Sequence, residues 1–338
     1  TLDGVSIFFV LSGFLIGRIL LVHLERNGND LRSILDFWIR RWFRTIPTYF
    51  VVLTFLIVLR TCASDQPPIA YWTYYLFSQN LYTPHPSFFN EAWSLSVEEW
   101  FYLTLPVVLF ALGRFFRSVD RYVPYVCISA MLAVMWVRYD LSLTMQVDDY
   151  GDWDIHFRKV VATRLDSLMY GVLGAWISLR HPARWVAHKR SLFVLGILLM
   201  VADKYLFMYR GALNLDWRHY YTTFSFSVFS LGALLTLPLL ASMRAGSGVL
   251  FNALTRISII SYSLYLVHFS VVRLIVLPGI FGAVADAQPV WNIAARYAVF
   301  WALSLVCAVL LYKYVEVPTT AWRDRFSFGK RAVRTVGE

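Results

Sequence analysis

The chain has 338 residues, of which 58% are hydrophobic and only 15% are charged, and its formal net charge is +10. A soluble domain carries about 25% charged residues, so this composition excludes an ordinary soluble protein and indicates an integral membrane protein. The three cysteines show no paired spacing, so we expect neither a disulfide framework nor a metal site. A nucleic-acid partner would need basic residues clustered on a soluble face, and the sequence has no such cluster.

Continuous apolar runs, rather than alternating ones, recur along the chain and exclude a β-barrel. Nine of them approach the ~20 residues that cross a bilayer core. We therefore predict an all-α, polytopic membrane helical bundle, in which residues 1–338 form a single integral-membrane domain. The predicted spans are 5–22, 45–59, 98–112, 122–137, 157–179, 191–208, 221–243, 257–277 and 291–312. The run 72–81 is too short to cross and is expected to lie at the membrane interface.

The charged residues separate into alternate linkers. One set of linkers holds 20 of the 31 Lys and Arg residues, whereas the opposite set holds 7 of them together with 11 of the 21 acids. Basic linkers stay in the cytoplasm, so we expect residue 1 outside and the C-terminus in the cytoplasm. The basic set is 23–44, 113–121, 180–190, 244–256 and 313–338, and the opposite set is 1–4, 60–92, 138–159, 203–219 and 278–290.

Two adjacent acids, Glu98 and Glu99, stand at the head of the third predicted span. A carboxylate at membrane depth costs several kcal/mol unless it is paired, protonated or facing a wet cavity. Helix periodicity places Glu99 on one face with Ser96 and Tyr102, and Glu98 on another with Ser94. One interpretation is a helix end at the interface, where the helix dipole favours acids; the other is a functional polar chamber. The aromatic residues of the same run are Trp93, Trp100, Phe101 and Tyr102.

A basic, aromatic segment, 37–47, lies at the predicted cytoplasmic end of the second span. Arg41 and Arg44 are three residues apart, so they project from one helix face and could bracket a diphosphate by bidentate bonds. The alternative is a topogenic cluster of arginines that snorkel to the interface.

Three other polar side chains fall at membrane depth. Arg164 and Asp166 are two residues apart, so they do not face each other and each needs a separate partner. They are interpreted either as members of structural ion pairs with another helix or as cavity residues. His268, in the middle of its span, is either an interhelical hydrogen-bond donor or a base.

Small residues in the first predicted span favour close contact between helices. Gly13 and Gly17 form a small-xxx-small pair, which lets the backbones of two membrane helices approach each other. Ordinary packing is sufficient to explain this pair, so it predicts a contact rather than a function.

Three ordered runs together resemble a known family. They read GVxxFFVLSGFLIG at 4–17, RRxxRxIP at 40–47 and WSLSVEExFY at 93–102. The ordered set resembles the acyltransferase-3 family of membrane O-acyltransferases, which modify sugars, lipopolysaccharide, peptidoglycan or secondary metabolites. Further similar runs lie at 164–171, 261–268 and 314–318, so the resemblance covers the whole chain.

The resemblance implies transfer of an acyl group, with acetyl the expected one, from acyl-CoA to a hydroxyl of a carbohydrate or glycolipid acceptor in the bacterial inner (plasma) membrane. It implies catalytic roles for Glu98, Glu99 and Ser94. It also implies that Arg41 and Arg44 bind the CoA phosphates. The implied residues of the substrate cavity are Trp93, Ser96, Tyr102, Arg164, Asp166 and His268.

Two features depart from the family pattern. The family usually has ten spans, whereas we count nine, and the span without a counterpart is the first. In the family that span carries an Arg and a His thought to be the catalytic base, so we expect a chain truncated at the N-terminus and inactive if that span is truly absent. The second departure is Trp100, where the family commonly has Gln; the change removes an amide donor next to the acids.

A membrane transporter or lipid-binding protein without acyl transfer is the competing class, because charges near the midplane also mark substrate pathways. The sequence shows no inverted repeat and no pair of matching broken helices, which transporters of this kind contain. A purely structural anchor would explain neither the acids nor the ordered motifs. Release of free thiol from acetyl-CoA distinguishes the enzyme from the transporter.

Overall fold

The computed structural model describes residues 3–27, 31–63, 69–116, 119–206, 218–243, 246–282 and 290–326. Every regular element within these ranges is a helix. Seven of the helices are long and apolar enough to cross a membrane. The prediction of an all-α, polytopic membrane bundle is therefore confirmed, and the protein is an integral membrane protein.

Within the described ranges the chain forms α-helices that four π-helical segments interrupt or extend. In chain order they are α1 (Gly4–Asn27), α2 (Leu31–Cys62), α3 (Tyr71–Tyr75), α4 (Ala92–Gly113), α5 (Val119–Thr144), α6 (Tyr150–Trp153), α7 (Leu165–Arg180), α8 (Pro182–Ala187), α9 (Lys189–Leu206), α10 (Ser225–Leu240), α11 (Val249–Val267), α12 (Leu277–Phe281), α13 (Val290–Leu311) and α14 (Val317–Phe326). The π-helical segments are Asp154–Arg158, Tyr220–Phe224, His268–Val276 and Tyr312–Glu316.

Seven of the nine predicted spans coincide with these long apolar helices. The other two, 157–179 and 191–208, correspond to α7 and α9, and both are short for a membrane crossing. Helix α7 has 16 residues, and α9 has 18 residues that include four charged side chains. The predicted end of the latter span, at residue 208, lies outside the described residues. The predicted interfacial run 72–81 contains only the five-residue helix α3.

The predicted start of the span 157–179 is wrong. Phe157 lies in a π-helical turn, and the chain then leaves the helix until α7 begins at Leu165. The intervening backbone makes hydrogen bonds to a loop: the N–H of Val161 donates to the carbonyl of Asn80 at 2.9 Å. The side chain of Asn80 donates in turn to the carbonyl of Lys159 at 2.7 Å. These tertiary hydrogen bonds replace the helical ones.

Helix α1 carries large apolar side chains on its exposed as well as on its buried side, as expected of a lipid-embedded helix. Phe8, Leu15 and Ile19 are exposed, whereas Phe9 and Leu20 are buried against the protein. In water such an exposed apolar stripe would destabilise the fold, but in a bilayer it meets lipid chains of the same polarity. The pattern agrees with a membrane-spanning helix.

The described chain divides into two compact units. The first consists of Thr1–Asp30, Phe77–His85 and Trp93–Ala245, and the second of Leu31–Leu76, Pro86–Ala92 and Gly246–Glu338. In the first unit α1 and α5 pack against α7, and α9 packs against α10. In the second unit α11 packs against α13, and α14 packs against α2.

Glycines allow α1 and α7 to come into backbone contact. A Cβ added to Gly13 would lie 2.0 Å from the carbonyl oxygen of Leu168, and one added to Gly171 would lie 2.1 Å from the carbonyl oxygen of Val10. A Cβ on Gly17 would lie 3.0 Å from the Cα of Val172. The predicted close approach at Gly13 and Gly17 is confirmed.

We predict that Gly13→Ala destabilises the protein, because its Cβ would clash with backbone that no rotamer change can move. The expected cost is of order 1–3 kcal/mol, the usual range for overpacking. The measurement is the apparent unfolding midpoint in detergent. Gly4→Ala, on the same helix with nothing within 4 Å of its added Cβ, is the matched control. Equal midpoints for the two variants would contradict the proposed contact.

Candidate functional site

A buried hydrogen-bond chain joins α1 to the acidic run of α4. The hydroxyl of Tyr102 donates to a carboxylate oxygen of Glu98 at 2.8 Å and lies 2.7 Å from the hydroxyl of Ser12. All three side chains are buried. Tyr102, one helical turn after Glu98, is therefore hydrogen-bonded both to Glu98 and to Ser12 of α1, and this contact keeps the carboxylate inside the protein. The interpretation of Glu98 as an acid at an exposed helix end is not supported.

The other polar members of this run are buried as well. Glu99, Ser94 and Ser96 are each less than a tenth exposed. The amide of Gln79 donates to the hydroxyl of Ser96 at 2.6 Å, and that of Asn80 donates to the backbone carbonyl of Trp93 at 3.2 Å. The loop that carries these two amides therefore fixes the first turn of α4.

Trp100, which stands where the family commonly has Gln, points to this same loop. Its indole N–H donates to the carbonyl of Phe77 at 2.9 Å. Phe77 is the one non-glycine residue with a positive φ in the described chain, at 53°. The tryptophan therefore anchors a strained turn of the loop.

Trp93 lies against a charged cluster formed by Asp3, the residue before α1, and by residues of the segment before α7. The guanidinium of Arg158 lies 4.8 Å above its ring, and the ring of Phe9 meets it edge-on at 5.9 Å. Arg158 also binds Asp3 at 3.2 Å and Asp154 at 2.8 Å. Trp93 is thus in contact with a cation whose charge is balanced by two acids.

Arg164 is completely buried at the start of α7. It donates to the hydroxyl of Ser6 at 2.5 Å, and its guanidinium lies 4.2 Å from the centre of the Phe226 ring. Its Nε and Nη1 have no hydrogen-bond partner among the described residues. The carboxylates of Asp3 and Asp166 both attract its guanidinium electrostatically. The guanidinium of Arg164 is therefore removed from water, and its Nε and Nη1 can still donate hydrogen bonds.

Asp166 has a different partner, as the two-residue spacing requires. It accepts from Arg138 of α5 at 2.7 Å and from Ser227 at 3.1 Å. Arg138 is also fully buried, and it donates to the carbonyls of Thr223 and Thr163. Arg138 stands within α5, although its position in the sequence was assigned to an exterior linker. This buried ion pair favours a structural role for Asp166, although Oδ1 of its carboxylate makes no hydrogen bond to the described residues, and its place in a substrate cavity stays a prediction.

The second unit brings three of the similar runs together around Arg44. Arg44 is exposed on α2, and its charge attracts Glu316. Glu316 is buried and accepts from the hydroxyl of Ser263 at 2.7 Å. The neighbouring hydroxyl of Tyr262 donates to the carbonyl of Thr45 at 2.7 Å. Residues of the runs 40–47, 261–268 and 314–318 are therefore in mutual contact.

Arg41 lies on the same continuous helix as Arg44, so their predicted shared face is confirmed. The adjacent Arg40 already binds Asp36 at 2.7 Å. His268, also in this unit, bonds to the carbonyl of Tyr265 in its own helix rather than to another helix. Among the described residues no three potential metal ligands come together.

A family model described as an acyltransferase domain matches residues 4–313. Because the match covers most of the chain, the protein belongs to the acyltransferase-3 family. The family membership favours the enzyme over the transporter. No solved structure matches the chain.

Curated proteins similar to the chain are O-acetyltransferases. The peptidoglycan O-acetyltransferase OatA of Listeria monocytogenes serovar 1/2a is 29% identical over 149 residues, which are 40% of this chain and 24% of that protein. A putative O-acetyltransferase of Staphylococcus aureus strain COL is 27% identical over 350 residues, covering 93% of this chain and 52% of that protein. The O-acetyltransferase OatA of S. aureus strain NCTC 8325 is 26% identical with the same coverage. The chain spans about half the length of these staphylococcal relatives.

Asp3 gives the charged cluster a defined pH dependence. Burial disfavours its charged form, but the charges of Arg158 and Arg164 and the hydrogen bonds from Ser6 and Arg158 outweigh this and lower its pKa from 3.8 to about 2. A carboxyl whose pKa is lowered by folding stabilises the protein above its ordinary pKa. The contribution, roughly 2 kcal/mol, is lost as the pH falls through about 2.

We predict that Asp3→Asn lowers the unfolding midpoint at pH 7 and that the difference from the wild type shrinks as the pH falls from about 4 to about 2. The measurement is the apparent midpoint in detergent across this pH range. Asp140→Asn, at an exposed position, serves as the control and should follow the wild type. A constant difference at every pH would show that the charge of Asp3 is not the cause.

Proposed function

We propose that the protein transfers an acyl group, with acetyl the expected one, from acyl-CoA to a hydroxyl of a carbohydrate or glycolipid acceptor of the cell envelope. The observation that carries this proposal is the acyltransferase family match over residues 4–313, supported by relatives named as O-acetyltransferases. Peptidoglycan is a candidate acceptor, because one relative is a peptidoglycan O-acetyltransferase.

The donor is assigned to Arg41 and Arg44. CoA carries several phosphate charges, and guanidinium groups bind phosphate through paired, charge-assisted hydrogen bonds. Arg44 is exposed, and the buried carboxylate of Glu316 lies close enough to attract it. Such a carboxylate attracts the guanidinium while its hydrogen-bond donors stay available to a ligand. Exposure and available donors suit a cation that receives an anionic ligand.

The chemistry is assigned to the acidic run of α4. An acceptor hydroxyl has a pKa far above neutral, so its proton must leave as the oxygen attacks the acyl carbonyl. Glu98 is held by a hydroxyl chain through Tyr102 and Ser12, which can relay a proton. Glu99 is buried beside it, and Ser94 supplies a hydroxyl that can stabilise the developing oxyanion. The cavity assignment of Trp93, Ser96, Tyr102, Arg164, Asp166 and His268 belongs to the same proposal.

The location follows from the charge distribution. The basic linkers, with 20 of the 31 Lys and Arg residues, are assigned to the cytoplasm by the positive-inside rule. We infer a protein of the bacterial inner membrane with a cytoplasmic C-terminus. This orientation places Arg41 and Arg44 on the side where CoA thioesters are made.

We predict that Arg44→Gln and Arg41→Gln each raise KM for acetyl-CoA about tenfold to a hundredfold, the equivalent of one lost hydrogen bond to a charged group. The measurement is acetyl-CoA-dependent release of free thiol by the protein in membranes, with peptidoglycan fragments as acceptor. Arg184→Gln, an exposed arginine of another basic linker, is the control and should keep the wild-type KM. A KM that is unchanged in both arginine variants would remove them from the donor site.

We predict that Glu98→Gln lowers kcat by about 10²–10⁴-fold, as expected for loss of a group that transfers a proton. Glutamine keeps the shape and can still accept the hydrogen bond from Tyr102, so the helix should remain in place. The assay is the thiol release described above, together with the unfolding midpoint. Wild-type turnover in both Glu98→Gln and Glu99→Gln would exclude the acids from the mechanism.

A further inference from the structure

Two tryptophans of the basic segment of α2 stack on each other. Trp38 and Trp42 are four residues apart, so their side chains lie one above the other on the same side of the helix. Their ring centroids are 5.6 Å apart, and the ring planes differ by only 6°. Both side chains are partly exposed. The two rings therefore form a parallel aromatic stack that the surrounding protein covers only in part.

This stack is next to the two arginines assigned to the donor. Arg41 follows Trp38 by three residues and directly precedes Trp42 on the same continuous helix. By helical periodicity, Arg41 lies between the tryptophan stack and Arg44 around the helix. Along the helix, Arg44 lies about 9 Å from Trp38 in the direction of the predicted membrane span. The aromatic stack and the two cations thus follow one another along one segment.

The backbone of this segment is held by two other helices. The ring of Phe43 stacks on that of Phe326 of α14, with centroids 5.2 Å apart. The carbonyl of Thr45 accepts a hydrogen bond from the hydroxyl of Tyr262 of α11 at 2.7 Å. These contacts fix the residues immediately before and after Arg44. The spacing between the stack and the cations is therefore a property of the fold.

An aromatic stack beside guanidinium groups suits a ligand that joins a planar base to phosphate. Every nucleobase has a π-face that can stack on an aromatic side chain. Guanidinium groups bind phosphate through paired, charge-assisted hydrogen bonds. CoA carries its groups in the order adenine, diphosphate and pantetheine arm, and the thioester ends that arm. With adenine on the tryptophans and the diphosphate on the arginines, the arm continues toward the membrane span.

We propose that Trp38 and Trp42 form the adenine subsite of the donor site and make the protein prefer CoA thioesters to donors without a nucleotide. The inference rests on the proposed function and adds recognition of the base to it. The competing interpretation is anchoring at the membrane interface, where tryptophan is enriched. An anchor acts on the protein whatever the donor, whereas a base-binding surface acts only on donors that carry a base.

The test compares two donors for the whole protein in membranes, with peptidoglycan fragments as acceptor. The donors are acetyl-CoA and S-acetyl phosphopantetheine, which keeps the thioester arm and a phosphate but lacks the adenosine. Trp38→Leu should raise KM for acetyl-CoA about fivefold to a hundredfold, the equivalent of one lost base–aromatic stack. It should leave kcat and KM for acetyl phosphopantetheine unchanged. Trp42→Leu should act in the same way.

Two further variants separate stacking from anchoring. Trp38→Phe keeps an aromatic ring and should retain most of the wild-type affinity for acetyl-CoA. Trp291→Leu, which replaces an exposed tryptophan of α13, is the matched control and should behave as the wild type.

The outcomes distinguish this inference from the proposed function. A KM that rises equally for both donors, or a lower kcat with an earlier unfolding midpoint, would mark a structural role and overturn the inference. A wild-type KM for acetyl-CoA in both Trp38→Leu and Trp42→Leu would overturn it while leaving the proposed function intact. A wild-type protein that releases thiol from neither donor would overturn the proposed function and this inference with it.

Discussion

The cost of burying a carboxylate among apolar helices is the constraint on which this structure depends. Each such acid needs hydrogen-bond donors from the protein itself, because lipid chains contain none. Glu98 accepts a hydrogen bond from Tyr102, Asp166 accepts one from Arg138, and Glu91 accepts two from backbone N–H groups. The donors to Asp166 and Glu91 lie on a different helix from the acid, and Tyr102 is itself hydrogen-bonded to a second helix. The acids therefore hold helices together and at the same time bring polar groups to membrane depth.

The helical architecture could be predicted because its signal is local. Apolar length alone located seven helices that the structure confirms as long enough to span a membrane. The error at Phe157 has a tertiary cause: the hydrogen bond of Val161 to the carbonyl of Asn80, 81 residues earlier in the chain, competes with the helix. Helix α9 carries charges at both ends, so hydropathy alone describes it poorly. Spacing rules contain no information about such partners.

The candidate site was only partly predictable for the same reason. An acid inside an apolar run is visible in the sequence, which is how Glu98 and Glu99 were found. Their partners are not visible, because Ser12 lies 90 residues from Tyr102. Arg138 could have been recognised, since it stands within the apolar helix α5, but it was assigned to a linker. Glu91, the residue before α4, is visible in the sequence as well, yet the backbone N–H groups that donate to it lie 178 and 179 residues away.

We propose that these buried polar groups serve an acyl transfer whose donor is a CoA thioester bound at the basic segment of α2. The most direct test of this proposal is labelling of the protein in membranes with a photoreactive acetyl-CoA analogue, followed by mapping of the labelled peptide. The account predicts that the label falls on the peptide containing Arg41 and Arg44 and that excess CoA prevents it. Labelling that falls only on other helices, or that excess CoA does not reduce, would contradict the account.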